Sequence, residues 1–188
     1  KKSNGKLHIM GLVSDGGVHA HMNHFKALLD LAKQQGVAEQ TYLHAFTDGR
    51  DTPQESALGY VEDLVNYGYN IATVSGRFYA MDRDNNWDRV QKAFDTMTLG
   101  VGEVKSSALQ GIKDSYAAGI QDEFIVPFVV NKDGLINDND AVIFANYRPD
   151  RAIRMATALS NPEATQTMVT EGKSVLNIEK APKDIFFV

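Results

Sequence analysis

The stretch that decides the fold is Ile71-Ala-Thr-Val-Ser-Gly-Arg-Phe-Tyr-Ala-Met-Asp-Arg-Asp84, in which an apolar strand runs into a short aromatic loop with two arginines. A guanidinium group never loses its charge and offers paired donors in a planar fork. It is therefore well suited to gripping a carboxylate or a phosphate. The stretch predicts a strand whose end presents an anion-binding loop built on Arg77 and Arg83.

Arginine recurs where other predicted strands end. Arg50 follows the apolar run 41–46, and Arg148 follows the run 141–145, with Arg151 one helical turn later. In sheets of parallel strands, ligands bind beyond the carboxyl ends of the strands. We expect the following residues to share that edge: Asp15, His19, Arg50, Asp51, Arg77, Arg83, Arg148 and Arg151.

Strands and helices alternate along the chain. The strand-like runs 7–13, 41–46 and 71–74 are each followed by a helix whose apolar residues share one face. This order predicts an α/β fold with three layers, αβα, around a mostly parallel sheet. The run 124–130 contains Pro127, which favours a sheet edge, and 131–134 has the composition of a hairpin turn, so we also expect an antiparallel hairpin at the sheet edge.

Prolines predict where two of the helices begin. Pro53 is suited to the first position of the second helix, which Gly68 would end. A later helix is expected over 149–159. Beyond residue 159 the periodicity weakens, and the chain finishes on the apolar run 185–188. We therefore expect residues 1–188 to form one domain excised from a larger protein, with 160–188 leading toward the missing part.

Composition narrows the classes of partner. The 188 residues carry a net charge of −5, so no overall basic field attracts nucleic acid or a membrane surface. No apolar run approaches the length of roughly 20 residues that a membrane helix needs. The sequence contains no cysteine, which excludes disulfides and is compatible with a cytoplasmic protein.

The histidines allow several interpretations. Asp15, His19, His21 and His24 lie close enough in sequence for a metal site, but this spacing fits equally well with solvated histidines or with one histidine that binds substrate. His8 and His44 lie inside predicted strands, where histidines of the core are the more common case.

Two further patterns allow both a binding and a structural interpretation. Residues 48–51 read Asp-Gly-Arg-Asp, which could hold a ligand or simply cap the helix expected at Pro53. Arg148 and Arg151 flank a predicted helix N-terminus, where cations are disfavoured by about 0.3–1 kcal/mol each. Two arginines there make sense if an anion sits above them, whereas pairing of Arg151 with Asp150 would be a surface contact of little energy.

Four motifs, taken in order, resemble one family. They are Ser14-Asp-Gly-Gly-Val-His19, Asp48-Gly-Arg-Asp51, Ser75-Gly-Arg-Phe-Tyr-Ala-Met-Asp-Arg-Asp84 and Asn146-Tyr-Arg-Pro-Asp-Arg-Ala-Ile153. The match runs over about residues 7–159 and resembles the cofactor-independent phosphoglycerate mutases, of the alkaline-phosphatase-like superfamily. The part it resembles is the substrate-binding, or phosphotransferase, domain. The resemblance implies interconversion of 3-phosphoglycerate and 2-phosphoglycerate in glycolysis, with manganese as the usual metal.

The resemblance also implies roles for single residues. Asp51 would bind the glycerate hydroxyls and serve as acid or base, and the contacts to substrate would be His19, Arg50, Asp51, Arg77, Arg83, Arg148 and Arg151. The phosphoryl-accepting serine and the manganese ligands of the family belong to a second, metal-binding domain and fall outside this sequence. We therefore expect no metal ligand here and no mutase activity from these residues alone.

Two alternatives remain at this stage. A metal-dependent hydrolase would use Asp15, His19, His21 and His24 together. A complete anion-binding module would use the same arginines without any chemistry.

Overall fold

The computed structural model describes residues 5–188 as a seven-stranded sheet with helices packed on it. The strands are β1 (Leu7–Leu12), β2 (Thr41–Thr47), β3 (Asn70–Gly76), β4 (Glu103–Val104), β5 (Phe128–Val129), β6 (Ala141–Phe144) and β7 (Phe186–Phe187). The helices are α1 (Met22–Gln34), α2 (Ala57–Tyr67), α3 (Arg77–Ala80), α4 (Trp87–Leu99), α5 (Ala108–Ala117), α6 (Ile153–Ser160) and α7 (Pro162–Thr170). Among the described residues, no helix has the length and apolar character that crossing a bilayer requires.

The sheet has the order β4-β5-β3-β2-β1-β6-β7, and its strands are parallel except for the pair β3 and β5. From β1 the chain first steps to β2 and β3 on one side, and later returns to place β6 on the other side of β1. The carboxyl ends of β1 and β6 thus flank the point where the winding reverses. Crevices at such a point are the usual ligand sites of open α/β sheets.

Two groups of helices form the outer layers. Helix α2 contacts both α1 and α5, and α6 contacts both α4 and α7. The apolar face predicted for α4 is confirmed, because Val90, Phe94 and Met97 are all buried. Helix α1 likewise buries Phe25 and Leu29. The three-layer α/β prediction is therefore confirmed.

The antiparallel part of the sheet is confirmed, but it is not a hairpin. Strand β5 covers only Phe128–Val129 and pairs antiparallel with β3, whereas the next strand, β6, lies beyond β1. Residues Lys132–Gly134 form a short 3-10 turn, in which Gly134 packs against Tyr42 and Ala72. The turn residues reverse the chain locally, but the open edge of β1 decides where the following strand pairs.

Two helices begin later than the prolines predict. Helix α2 begins at Ala57 instead of Pro53, because the Asp122 carboxylate accepts hydrogen bonds from Ser56 N at 2.9 Å and Ala57 N at 2.8 Å. A negative charge at this position also favours the helix dipole. Helix α6 begins at Ile153, after a turn closed by the bond from Ala152 N to Pro149 O.

The segment 160–188 folds back on the sheet. Trp87 of α4 donates from Nε1 to Lys173 O at 2.9 Å, and Gln91 accepts from Asn177 N at 2.6 Å. The terminal apolar run contains β7, which pairs parallel with β6. The apolar run at residues 185–188 therefore supplies an edge strand of the sheet.

Candidate functional site

An ion-pair cluster lies where β1, β2 and β3 end. Arg77, the first residue of α3, points its Nη1 at Asp48 Oδ1, 2.6 Å away, and at Asp51 Oδ2, 2.7 Å away. Asp48 also accepts from the Ser14 hydroxyl at 2.7 Å and from Asp51 N at 3.0 Å. Three strand ends are thus joined through one carboxylate.

The charges in this cluster stabilise one another. Burial by itself would raise the pKa of Asp48, but hydrogen bonds from Asp51 N, Ser14 and Arg77 outweigh it and hold that pKa below its ordinary value. The pKa of Arg77 is raised, because the two carboxylates offset the burial that would lower it. Arg77 is therefore a fixed cation, and only 3% of the residue is exposed.

Two glycines let the backbone of these loops pass close to a supporting segment. Gly49 has φ of +70°, and a Cβ there would come within 2.8 Å of the Asp122 side chain. A Cβ on Gly76 would collide with Glu123 O. The loops that carry Arg50 and Arg77 therefore rest on the same short segment, which includes Asp122 and Glu123.

His19 lies between two carboxylates at the β1–β6 crevice. Its Nε2 is 4.0 Å from Asp51 Oδ2, and its Nδ1 is 3.8 Å from Asp150 Oδ1. The backbone of Tyr147 donates to His19 O at 2.9 Å, which ties the loop after β1 to the loop after β6. Burial, with the charge of Arg77 second, lowers the pKa of His19, so the ring is neutral near pH 7.

Three more arginines surround Asp150 and the loop before α4. Arg83 Nη1 donates to Asp150 Oδ2 at 3.0 Å, and Arg148 Nη2 donates to the same oxygen at 3.2 Å. Arg151 Nη1 donates to Met81 O at 3.2 Å.

The pKa of Arg151 is lowered, first by burial and then by the charges of neighbouring arginines, which are Arg77, Arg83 and Arg50. The guanidinium groups expected at this edge therefore share one region.

Arg50 occupies the rim of this region. Its side chain is 56% exposed, and its Nη1 lies 3.4 Å from Glu123 Oε1. It is the most open of the predicted arginines, since Arg83 and Arg148 are 45% and 47% exposed.

Three buried polar atoms in the described part of the chain lack a hydrogen-bond partner, and all three belong to this site. They are His19 Nδ1, Arg77 Nε and Asp150 Oδ1. Arg148 Nε is 2.9 Å from Asp150 Oδ1, but without the alignment that a hydrogen bond needs. Each unpaired buried polar atom costs about 1–3 kcal/mol of stability. Three such atoms in one place therefore indicate a surface arranged for a ligand.

The four residues of the hydrolase alternative do not converge. Asp15 accepts from the Tyr60 hydroxyl, and His21 caps α1 by accepting from Asn23 N at 3.1 Å. His24 instead lies edge-on to another ring, that of Tyr147. Residues 5–188 contain no group of three or more histidine, cysteine, aspartate or glutamate side chains placed to hold a metal ion.

Some contributors were missed at the level of sequence. Asp48 stands in the Asp-Gly-Arg-Asp motif but was not singled out, although its place directly after a buried strand is the signal that could have done so. Asp122 gave no signal, because its partners Ser56 and Ala57 lie more than 60 residues away. His8 and His44 are fully buried, which confirms them as histidines of the core.

Comparison with known proteins identifies the family. Residues 1–183 match the family described as "BPG-independent PGAM N-terminus". The 2,3-bisphosphoglycerate-independent phosphoglycerate mutases of Acholeplasma laidlawii and Onion yellows phytoplasma are 71% and 53% identical to the chain. Each alignment covers 100% of the chain and 37% of the relative, so the chain spans little more than a third of these curated relatives.

A solved structure agrees with this result. The phosphoglycerate mutase of Leishmania mexicana, determined at low cobalt concentration, superposes with a TM-score of 0.85 at 28% identity. The superposition covers 99% of this chain and 35% of that one. The chain belongs to the N-terminal family of the 2,3-bisphosphoglycerate-independent phosphoglycerate mutases, which are isomerases.

Proposed function

We propose that this chain is the substrate-binding domain, spanning 1–188, of an enzyme that interconverts 3-phosphoglycerate and 2-phosphoglycerate. The proposal depends on one observation. Arginines from three strand ends converge around His19, which is buried and neutral, at the crevice where the winding of the chain reverses. The names of the relatives indicate the reaction, and the arginines supply the positive charge that would hold a substrate with two anionic groups.

The arginine cluster would bind the phosphoryl oxygens and the glycerate carboxylate. Phosphoryl transfer depends mainly on positioning and on compensation of negative charge, and preorganised guanidinium groups provide both. Arg77 is the most firmly preorganised, since Asp48 and Asp51 fix it from one side. Its unpaired Nε and the unpaired Nδ1 of His19 are donors or acceptors left for substrate.

Asp51 would bind the glycerate hydroxyls and serve as acid or base. Its Oδ2 already accepts from Arg77, and it lies beside His19, so a hydroxyl placed between them would meet an acceptor and a ring nitrogen. The phosphoryl group would pass from a glycerate oxygen to a serine oxygen of a second domain. The glycerate would then reorient and take the group back on its other hydroxyl.

We assign the manganese of this reaction to that second domain of the same polypeptide. The residues described here offer no cluster of ligating side chains, so this chain's part would be to bind and orient the glycerate. The enzyme would work in glycolysis, in the cytoplasm. The chain by itself would be inactive.

Replacing Arg148 in the intact protein tests the proposal. Arg148→Gln should lower kcat/KM for 3-phosphoglycerate about a hundredfold, the usual cost of losing one charge-stabilising donor. Lys26→Gln is the matched control, because it removes one positive charge from an ion pair of α1 with Asp63, on the outer surface. Equal activity of the two variants would reject the proposed site.

The anion-binding module alternative keeps the same arginines and differs in its products. Incubating the intact protein with 3-phosphoglycerate and manganese should yield 2-phosphoglycerate, which phosphorus NMR detects directly. Binding without any interconversion would favour the module.

A further inference from the structure

Asp150 is a carboxylate held between two arginines of the site, Arg83 and Arg148. Its Oδ2 accepts from Arg83 and from Arg148, which come from different segments of the chain. Its Oδ1 makes no hydrogen bond, although Arg148 Nε lies 2.9 Å away, and it is 3.8 Å from His19 Nδ1. A carboxylate gripped by two guanidinium groups beside a histidine has the same surroundings that an anionic ligand would seek here.

The way Asp150 is held differs from the way Asp48 is held. Asp48 accepts backbone hydrogen bonds from Arg50 N and Asp51 N and is buried, so its position is fixed by the fold. In the described part of the chain, Asp150 receives side-chain hydrogen bonds from two arginines and none from backbone N–H groups. Its side chain is 33% exposed, so rotation about its own bonds can carry the carboxylate into water.

The arginines need a counter-ion when no ligand is present. The charges of Arg77, Arg83 and Arg50 all act on Arg151, which shows how closely like charges are gathered. A nearby carboxylate offsets that repulsion. An arriving phosphate or carboxylate would offset it too, and it would compete with Asp150 for the same N–H donors.

We propose that Asp150 is a place-holding counter-ion, whose carboxylate occupies Arg83 and Arg148 in the free protein and is displaced by an anionic group of the ligand. The inference rests on the proposed function, since it names a residue that sets the ligand affinity of that same site. The direction of the change in ligand affinity distinguishes this role of Asp150 from a positioning role. Displacing the Asp150 carboxylate costs free energy, so removing its charge should tighten ligand binding. If the carboxylate instead positioned the arginines, removing its charge should weaken ligand binding.

The test is Asp150→Asn in the intact protein, with binding of 3-phosphoglycerate and of inorganic phosphate measured by calorimetry. We expect both dissociation constants to fall about two- to fivefold, which corresponds to about 0.4–1 kcal/mol and lies within the range measured for partly exposed ion pairs. Asp150→Glu keeps the charge and should stay within about twofold of the wild type. Asp63→Asn is the matched control, since it removes one carboxylate from the exposed ion pair with Lys26 and leaves the site intact.

The outcomes separate the two proposals. If the wild type binds 3-phosphoglycerate but Asp150→Asn binds it no tighter than Asp63→Asn, or binds it more weakly, the place-holding role is rejected and the proposed function stands. If the wild type binds neither anion, the proposed function is rejected and the inference falls with it. Circular dichroism spectra of all variants would check that the fold is retained.

Discussion

The two ends of the parallel sheet both bury polar side chains, but only one end satisfies them all. Toward the amino end, His8 Nδ1 lies 3.1 Å from His44 Nε2, His8 Nε2 lies 3.0 Å from Asp140, and His44 Nδ1 lies 2.8 Å from Thr73 Oγ1. All four residues are buried. With both rings protonated on Nε2, the chain of hydrogen bonds runs from Thr73 to His44, to His8 and to Asp140, and every atom has a partner.

The carboxyl end holds the three unpaired atoms, on His19, Arg77 and Asp150. It also concentrates positive charge, whereas the amino-end network needs no net charge on its histidines. The comparison teaches that burial of a polar group does not distinguish a structural network from a binding site. The distinction lies in whether the hydrogen-bonding capacity is used up within the protein.

The largest effect is expected from breaking the ion pair at the carboxyl end. Asp48→Asn in the intact protein would leave Arg77 buried with Asp51 as its one carboxylate, and would turn an acceptor of backbone N–H groups into an amide. Loss of a partner from a buried ion pair costs about 3–5 kcal/mol. We expect about 3 kcal/mol, because Asp51 remains, measured from hydrogen exchange of the β1–β3 amides. Unchanged exchange would mean that Asp48 does not organise the three strand ends.

A smaller effect, confined to stability, is expected at the amino end. Asp140 accepts from Lys6 N at 2.6 Å and Asn137 N at 2.8 Å as well as from His8. Asp140→Asn should cost about 2 kcal/mol, the range for hydrogen bonds to a charged group. The same exchange experiment measures it. Turnover of 3-phosphoglycerate should stay within about twofold of the wild type at 25 °C, and a large loss of kcat would contradict the division between the two ends.

The smallest effect, counted per histidine and per pH unit, is a pH dependence of stability. Burial lowers the pKa of His8, against the opposing influence of Asp140, and burial followed by the charge of His8 lowers the pKa of His44 well below its ordinary value. Unfolded histidines titrate near 6.5, so below that pH the unfolded chain binds more protons than the folded one. Stability is therefore full above about pH 6.5 and falls as the pH drops toward the folded-state pKa values, by up to about 1.4 kcal/mol per pH unit for each histidine.

Calorimetric unfolding of the intact protein between about pH 5 and pH 7.5 measures this slope. His44→Gln removes one of the titrating groups and should flatten the slope relative to the wild type. His24→Gln is the control, since His24 is exposed on α1 and lies outside the buried network. Identical slopes for wild type and His44→Gln would show that the network takes up protons without cost.

The alternation of strands and helices was predictable because each buried element has its own apolar period. Phe94 and Met97 face the sheet for the same reason that they recur at helical spacing. The absence of a hairpin after β5 and the start of α2 could not be predicted in this way. The first depends on which sheet edge is open, and the second depends on Asp122, a cap supplied from a remote segment.

The candidate site likewise has features that local sequence predicts and features that depend on tertiary contacts. Each arginine could be located at a strand end from the sequence, since the strand pattern and the residue type suffice. The carboxylates that hold them could not be assigned, because the pairing of Arg83 with Asp150 joins residues 67 positions apart. Local patterns identify the groups, and the tertiary contacts determine which of them are paired and which are left open.

The segment that includes Asp122 and Glu123 gives the two arginine loops a common foundation. Gly49 and Gly76 both pack closely against this segment, and neither position leaves room for a methyl group. A shift of this segment would therefore move both loops in concert. The effect of a substitution in this segment should therefore depend on the sequence of both loops. We expect the two arginine loops to change in a correlated way during evolution.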